Sequence, residues 1–191
     1  MRRKSFSLPK NFGEMSALAS FAVFAIFTAT AIYLTPGFDI AKQYLSELGL
    51  SAPSALFFNS GIVISGLLLI PFFISLRERL GKTAADSAIT SLGIASSFAL
   101  MGIGIFTLAQ RDIHNLFNYS FLFFVTLTIF FTSLRMLSRK LFLYGLAGLC
   151  IITFNTILFF VLIPTAIQKF SVFTLEVWLL TMIFYMMVEE N

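Results

Sequence analysis

Six stretches of the chain stay apolar for about the 20 residues that a helix needs to cross a hydrocarbon core of about 30 Å. They cover residues 15–35, 54–76, 87–109, 116–134, 141–163 and 172–188. The polar segments between them are short. This pattern predicts an all-α polytopic membrane protein, a six-transmembrane-helix bundle forming a single integral domain over residues 1–191. Small residues recur at every fourth position in the third stretch (Ser87, Ser91, Ala95, Ala99), and Gly61/Ser65 and Ala25/Ala29 repeat the spacing in the second and first. Such ridges let helices approach closely in lipid, where no hydrophobic force drives them together. Thr83-Ala84-Ala85-Asp86 reads as a capping box opening the third span. Ser138 and Ser171 stand where caps of the fifth and sixth would be.

The first connection carries a pattern of its own. Pro36-Gly37 ends the first span, and Ala41, Tyr44, Leu45 and Leu48 then recur at helical spacing. Lys42, Gln43, Ser46 and Glu47 fall off that apolar face, Asp39 can cap the start, and Gly49 can close the end. A short amphipathic helix is expected there, at the outer interface or folded over the bundle.

Composition narrows the class of function. The chain is 58% apolar and 12% charged, against about 45–50% and about 25% in soluble domains. That excludes a soluble enzyme and a nucleic-acid-binding domain. A single Cys, Cys150, and a single His, His114, exclude an intrachain disulfide, a Cys-type metal site and bis-His haem ligation. No metal and no cofactor are therefore expected.

The basic residues fix an orientation. Arg2, Arg3, Lys4, Lys10, Arg77, Arg79, Lys82, Arg135, Arg139 and Lys140 fall on one side of the alternation; only Lys42, Arg111 and Lys169 fall on the other. By the positive-inside rule both termini are cytoplasmic. The basic N-terminus followed by an apolar run resembles a signal peptide, and Ala29-Thr30-Ala31 offers a cleavage pattern. The run is longer than the usual 7–15 residues of such a peptide, so an uncleaved first span is expected.

Polar residues within the spans gather toward the outer side. Asn59, Asn118, Asn155 and Glu176 all lie there, and the outer connections add Asp39, Tyr44, Glu47, Arg111, Asp112, His114 and Lys169. Groups costly to expose to lipid are expected to face one another or a wet cavity. The reading is an outward-open polar cavity that binds a lipid headgroup or small amphiphile through Asn59, Asn118, Asn155, Glu176, Tyr44 and Asp39. Glu176 also reads as a marker of the water interface, or as a partner of Lys169. Asn59 and Asn155 also read as interhelical hydrogen-bonding groups. Two other functions stay open. One is an outer-interface hydrolase or transferase using His114 and Asp112 with Glu47 or Ser46, although no GxSxG elbow frames a serine. The other is a transporter or proton-coupled carrier, which lacks a visible inverted repeat.

The segment Gln43-Tyr44-Leu45-Ser46-Glu47-Leu48-Gly49 resembles a Y-x-S-E-L-G signature after the first span of a six-span prokaryotic membrane family, known only as domain of unknown function nine-nine-eight. Phe58-Asn59-Ser60-Gly61 is similar to that family's F-N-x-G opening of the second span, and Asp112-Ile113-His114-Asn115 to its His-containing loop, without the Pro that often precedes the His. More distantly the layout is similar to DRAM-type autophagy modulators. The resemblance implies the six-span fold and a prokaryotic plasma membrane, implies no settled activity, and singles out Ser46, Glu47, Gly49, Asn59 and His114.

Overall fold

In the computed structural model, which describes Pro9 and residues 11–188, each apolar stretch is one helix. These are α1 (Phe12–Tyr33), α2 (Ser54–Leu80), α3 (Ala84–Ile105), α4 (Arg111–Ser138), α5 (Phe142–Val161) and α6 (Pro164–Val188). All six are long and apolar enough to cross a membrane, and the described residues contain no strand. Each helix packs on the next, and α6 returns to α1. Large apolar side chains cover the outside, as along α5, where Phe154, Ile157, Phe159, Phe160 and Val161 are exposed. A surface of that kind fits lipid and not water, so the protein is membrane-embedded.

The helix ends differ from the sequence pattern in ways that matter for the site. α6 begins at Pro164, eight residues before the expected start, because proline suits the first helical position, where its missing N–H is not needed. Gln168 and Lys169 thereby become helical, and Ser171 is an internal residue of α6. α4 likewise starts at Arg111, so Asp112 and His114 occupy its first turns. Ser138 donates to the Arg135 carbonyl at 2.7 Å and does not cap α5. The capping box of α3 is formed: Asp86 Oδ2 accepts the Thr83 N–H at 2.8 Å, and Thr83 Oγ1 accepts the Asp86 N–H at 3.3 Å.

The expected loop helix is present in a tighter form, a 3-10 turn over Leu45–Gly49, called the strap below. Asp39 Oδ1 accepts the Ala41 N–H at 2.9 Å, and the Asp39 carbonyl accepts from Lys42 and Gln43. These local bonds compete with helix formation, and Ala41 stays exposed while Leu45 and Leu48 are buried.

Close backbone approach joins α1, α2 and α3. Ser20 Oγ donates to the Ser65 carbonyl at 3.0 Å, and Ser65 Oγ returns a bond to the Ser20 carbonyl at 3.1 Å. A Cβ on Gly66 would lie 2.8 Å from the Ser97 carbonyl oxygen, so only glycine allows α2 and α3 to meet there.

One end of the bundle carries the arginines. Asp86, fully buried, accepts from Arg135 Nε at 2.8 Å and from the Thr83 hydroxyl at 2.7 Å. Arg79 pairs with buried Glu14 at 3.0 Å, and Arg139 donates to the Arg79 carbonyl at 2.7 Å. These bonds tie α1 to α2, α3 to α4, and α4 back to α2. The N-terminal cluster Arg2, Arg3, Lys4 and Lys10 lies outside the described residues.

Packing is uneven along the bundle axis. The larger core draws on all six helices, with Ala17, Phe72, Ile89, Met136, Tyr144 and Met182 among its members. The smaller core, toward the strap, is Ala31, Leu45, Leu48, Phe58, Ile62 and Ile103, from α1, the strap, α2 and α3, with Phe117 and Phe121 of α4 packed against it. The buried residues of α5 are Tyr144, Gly145 and Gly148, all near the arginine end. In α6 burial begins at Thr174 and runs toward that same end, and in α4, beyond His114, it begins at Val125. The bundle is therefore tight at the arginine end and loosened at the strap end along α5 and α6.

Candidate functional site

The strap is held from two sides. Leu45 N–H donates to Gln168 Oε1 of α6 at 2.8 Å, and Asn59 Nδ2 of α2 donates to the Gly49 carbonyl at 3.1 Å. Glu47 stabilises the turn from within: Oε1 accepts the Tyr44 N–H at 2.9 Å and Oε2 accepts from Gln43 Nε2 at 3.0 Å. Ser46 is buried beside it, and Tyr44 is half-buried. The tyrosine–serine–glutamate–leucine–glycine signature therefore builds a clasp. Asp39, holding the Ala41 N–H and an exposed Lys42 at 3.4 Å, shapes the approach to that clasp.

His114 is buried in the first turns of α4. Its Nδ1 lies 2.8 Å from the Phe106 carbonyl. A carbonyl only accepts, so Nδ1 carries the proton, and in the neutral ring Nε2 is the acceptor. Asp112 is exposed, and at about 100° per residue it stands on a different face of α4 from His114. Asn118 is half-buried one turn further on. Among the described residues no three His, Cys, Asp or Glu side chains stand close enough to hold a metal ion.

Several polar atoms are left unsatisfied inside the bundle, Thr132 Oγ1 of the tightly packed part of α4 among them. Lys169 Nζ, Thr165 Oγ1, Glu176 Oε2, Asn155 Oδ1 and Trp178 Nε1 are shielded from solvent and have no hydrogen-bond partner. Each such group costs on the order of 1–3 kcal/mol, and more where it is charged. These five belong to α5 and α6: Thr165 and Lys169 precede Thr174, the first buried residue of α6, Asn155 stands opposite it, and Glu176 and Trp178 follow it at the edge of and within the larger core. Thr165, Lys169 and Glu176 follow at spacings of four and seven, which places them on one face of α6.

The residues proposed from sequence are only partly brought together. Asn155 is at the α5–α6 seam, where Nδ2 donates to Thr174 Oγ1 at 2.6 Å and to the Ile151 carbonyl at 3.0 Å. Thr174 lies about 200° around α6 from Glu176, so Asn155 and Glu176 flank that helix from different sides. Asn59 is engaged under the strap. The unpaired set centres on α6 instead, with Lys169 and Thr165 added. The signal that could have found them was Pro164, which extends the last helix and carries Lys169 into the bundle.

A separate cavity of about 400 Å³ lies between α3 and α4 at the arginine end, lined by Ala88, Leu92, Phe131 and Leu134 with Arg135 and Ser138 at its edge. It shares no residue with the unpaired set.

The family model described as "Protein of unknown function (DUF998)" matches residues 18–185, and the chain belongs to that family. No curated protein and no solved structure matches the chain.

Proposed function

We propose that this DUF998 protein holds the polar head of a membrane lipid or other small amphiphile at the strap end of the bundle, open to the outside of a plasma membrane. The observation that carries the reading is the pair of shielded, unpartnered groups Lys169 Nζ and Glu176 Oε2 on one face of α6. A buried ammonium and a buried carboxylate left unpaired are expensive. Groups supplied by a ligand offset that cost. Exposed phenylalanines along α5 provide an apolar flank for a tail. The outward direction rests on the basic residues of the opposite end.

Catalysis is the weaker reading. Glu47 and Asn59 are spent on the strap, Nδ1 of His114 is spent on Phe106, and Asp112 faces away. Transport is weaker again, because the large core and the ion pairs close the arginine end.

The test has two parts. In a Cys150→Ser background, Asp112→Cys, exposed at the strap end, should react with a membrane-impermeant thiol reagent added outside intact cells. Native mass spectrometry of protein in mild detergent should show a retained amphiphile, weakened about tenfold or more by Lys169→Met. Reaction only from the cytoplasmic side overturns the orientation. An adduct-free protein overturns the binding reading.

A further inference from the structure

From the order of the unpaired groups on α6 we infer that the ligand head is zwitterionic: a phosphate received by Lys169 and Thr165, joined by a short linker to an ammonium received by Glu176. The inference rests on the binding reading above and names the class of ligand. Lys169 supplies up to three N–H donors and a positive charge, and Thr165, one turn away on the same face, supplies a hydroxyl. Both Nζ and Oγ1 are shielded and unpartnered. An ammonium and a hydroxyl one turn apart on one helix face suit a phosphate oxygen. The partial positive charge at the N-terminal end of α6 has the same sign.

Glu176 lies deeper, seven residues on, which is about 10 Å along the helix axis. Its Oε2 has no donor, and the described residues give Lys169 no hydrogen bond to it. Helical side chains lean toward the N-terminus, so both groups tilt the same way, and the longer lysine stem widens the separation slightly. Two charge-assisted hydrogen bonds of about 2.8 Å each leave about 5 Å between the anion and the cation, which an ethanolamine linker spans. A head with phosphate alone satisfies Lys169 and strands the carboxylate beside a second negative charge, and that cost is the source of selectivity.

The same head occurs in phosphatidylethanolamine and in free phosphoethanolamine, so the experiment separates them. Full-length protein in mild detergent is offered phosphatidylethanolamine or phosphatidylglycerol of the same acyl composition and measured by native mass spectrometry. Wild type should retain phosphatidylethanolamine about tenfold better. Glu176→Gln should abolish that preference while leaving lipid bound, and Lys169→Gln should weaken both lipids. Competition by free phosphoethanolamine at lipid-stoichiometric concentration assigns the site to the soluble molecule; its failure to compete assigns it to the lipid. Equal retention of the two lipids by wild type, both lost in Lys169→Gln, overturns the zwitterion and leaves the binding reading standing. No lipid or phosphoethanolamine retained by wild type overturns both. The wild-type comparison decides the question even if a variant fails to fold.

Discussion

Asn155 donates Nδ2 to the Thr174 hydroxyl at 2.6 Å, pinning α5 to α6 at the depth where their shared apolar packing runs out. Below that bond Tyr144 and Tyr185 meet edge to face with ring centroids 5.1 Å apart. Above it α5 exposes phenylalanines and α6 carries the unpaired Lys169, while Glu176 lies two residues below Thr174. The bond is thus the upper limit of the tight part of the seam.

Asn155→Leu removes this bond and also removes the stranded Oδ1. Side-chain hydrogen bonds between membrane helices contribute about 0.6 kcal/mol on average and about 1.7 at most. The expected destabilisation is therefore about 1 kcal/mol or less, measured by reversible unfolding in mixed micelles. A loss of several kcal/mol would mean that Asn155 organises more than the seam.

At the other end the stakes are larger. Asp86 is fully buried, and Arg135 reaches it at 2.8 Å while donating to the Leu80 carbonyl at 3.1 Å. Arg135→Ala leaves a buried carboxylate without its countercharge and should cost about 3–5 kcal/mol. Asp86→Asn together with Arg135→Met removes both charges and should recover much of that loss. Equal destabilisation by the single and the double variant would refute this account.

The sequence made the helices legible and the site less so, for a physical reason. Hydrophobic runs long enough to span a bilayer have few alternative conformations, so the six helices and the Thr83–Asp86 capping box read directly. The helix ends did not, because Pro164 and Arg111 start α6 and α4 inside segments whose polarity suggested loops. The sequence pattern therefore puts Lys169 in a connection outside the bundle, and the site it suggests comprises Asn59, Asn118, Asn155, Glu176, Tyr44 and Asp39 without it. Pairing was also invisible. Nothing in the spacing of Glu14 and Arg79 or of Asp86 and Arg135 announces a contact across 65 or 49 residues. The signature around Glu47 was legible as a motif, but its work as a clasp appears only once Gln168 and Asn59 come into contact with it.

The clasp makes its own prediction. A Cβ on Gly49 would fall inside the Asn59 carboxamide. Gly49→Ala should displace Asn59, break its bond to the Gly49 carbonyl and cost about 1–3 kcal/mol. Hydrogen exchange at Leu48 to Leu50 should speed up accordingly. Adding Asn59→Ala should relieve the clash and restore part of the stability. An equally unstable double variant would place the strain elsewhere.

His114 offers the sharpest separation between a binding protein and an enzyme. Its Nδ1–H holds the Phe106 carbonyl at 2.8 Å, across the turn that joins α3 to α4, where the Phe106 and Phe117 rings stack at 5.2 Å. His114→Ala leaves that carbonyl without its donor, in a partly buried site, and should cost about 1–3 kcal/mol. An asparagine amide reaches nearly the same place as Nδ1, so His114→Asn should restore most of the stability and most of the ligand retention. It supplies no titrating group, however, so a function that moves protons through the imidazole would be lost in His114→Asn as completely as in His114→Ala. Recovery of lipid binding in the asparagine variant therefore assigns His114 to holding the helix junction. A variant that is stable yet inactive in a lipid-turnover assay that wild type passes would assign it to chemistry instead.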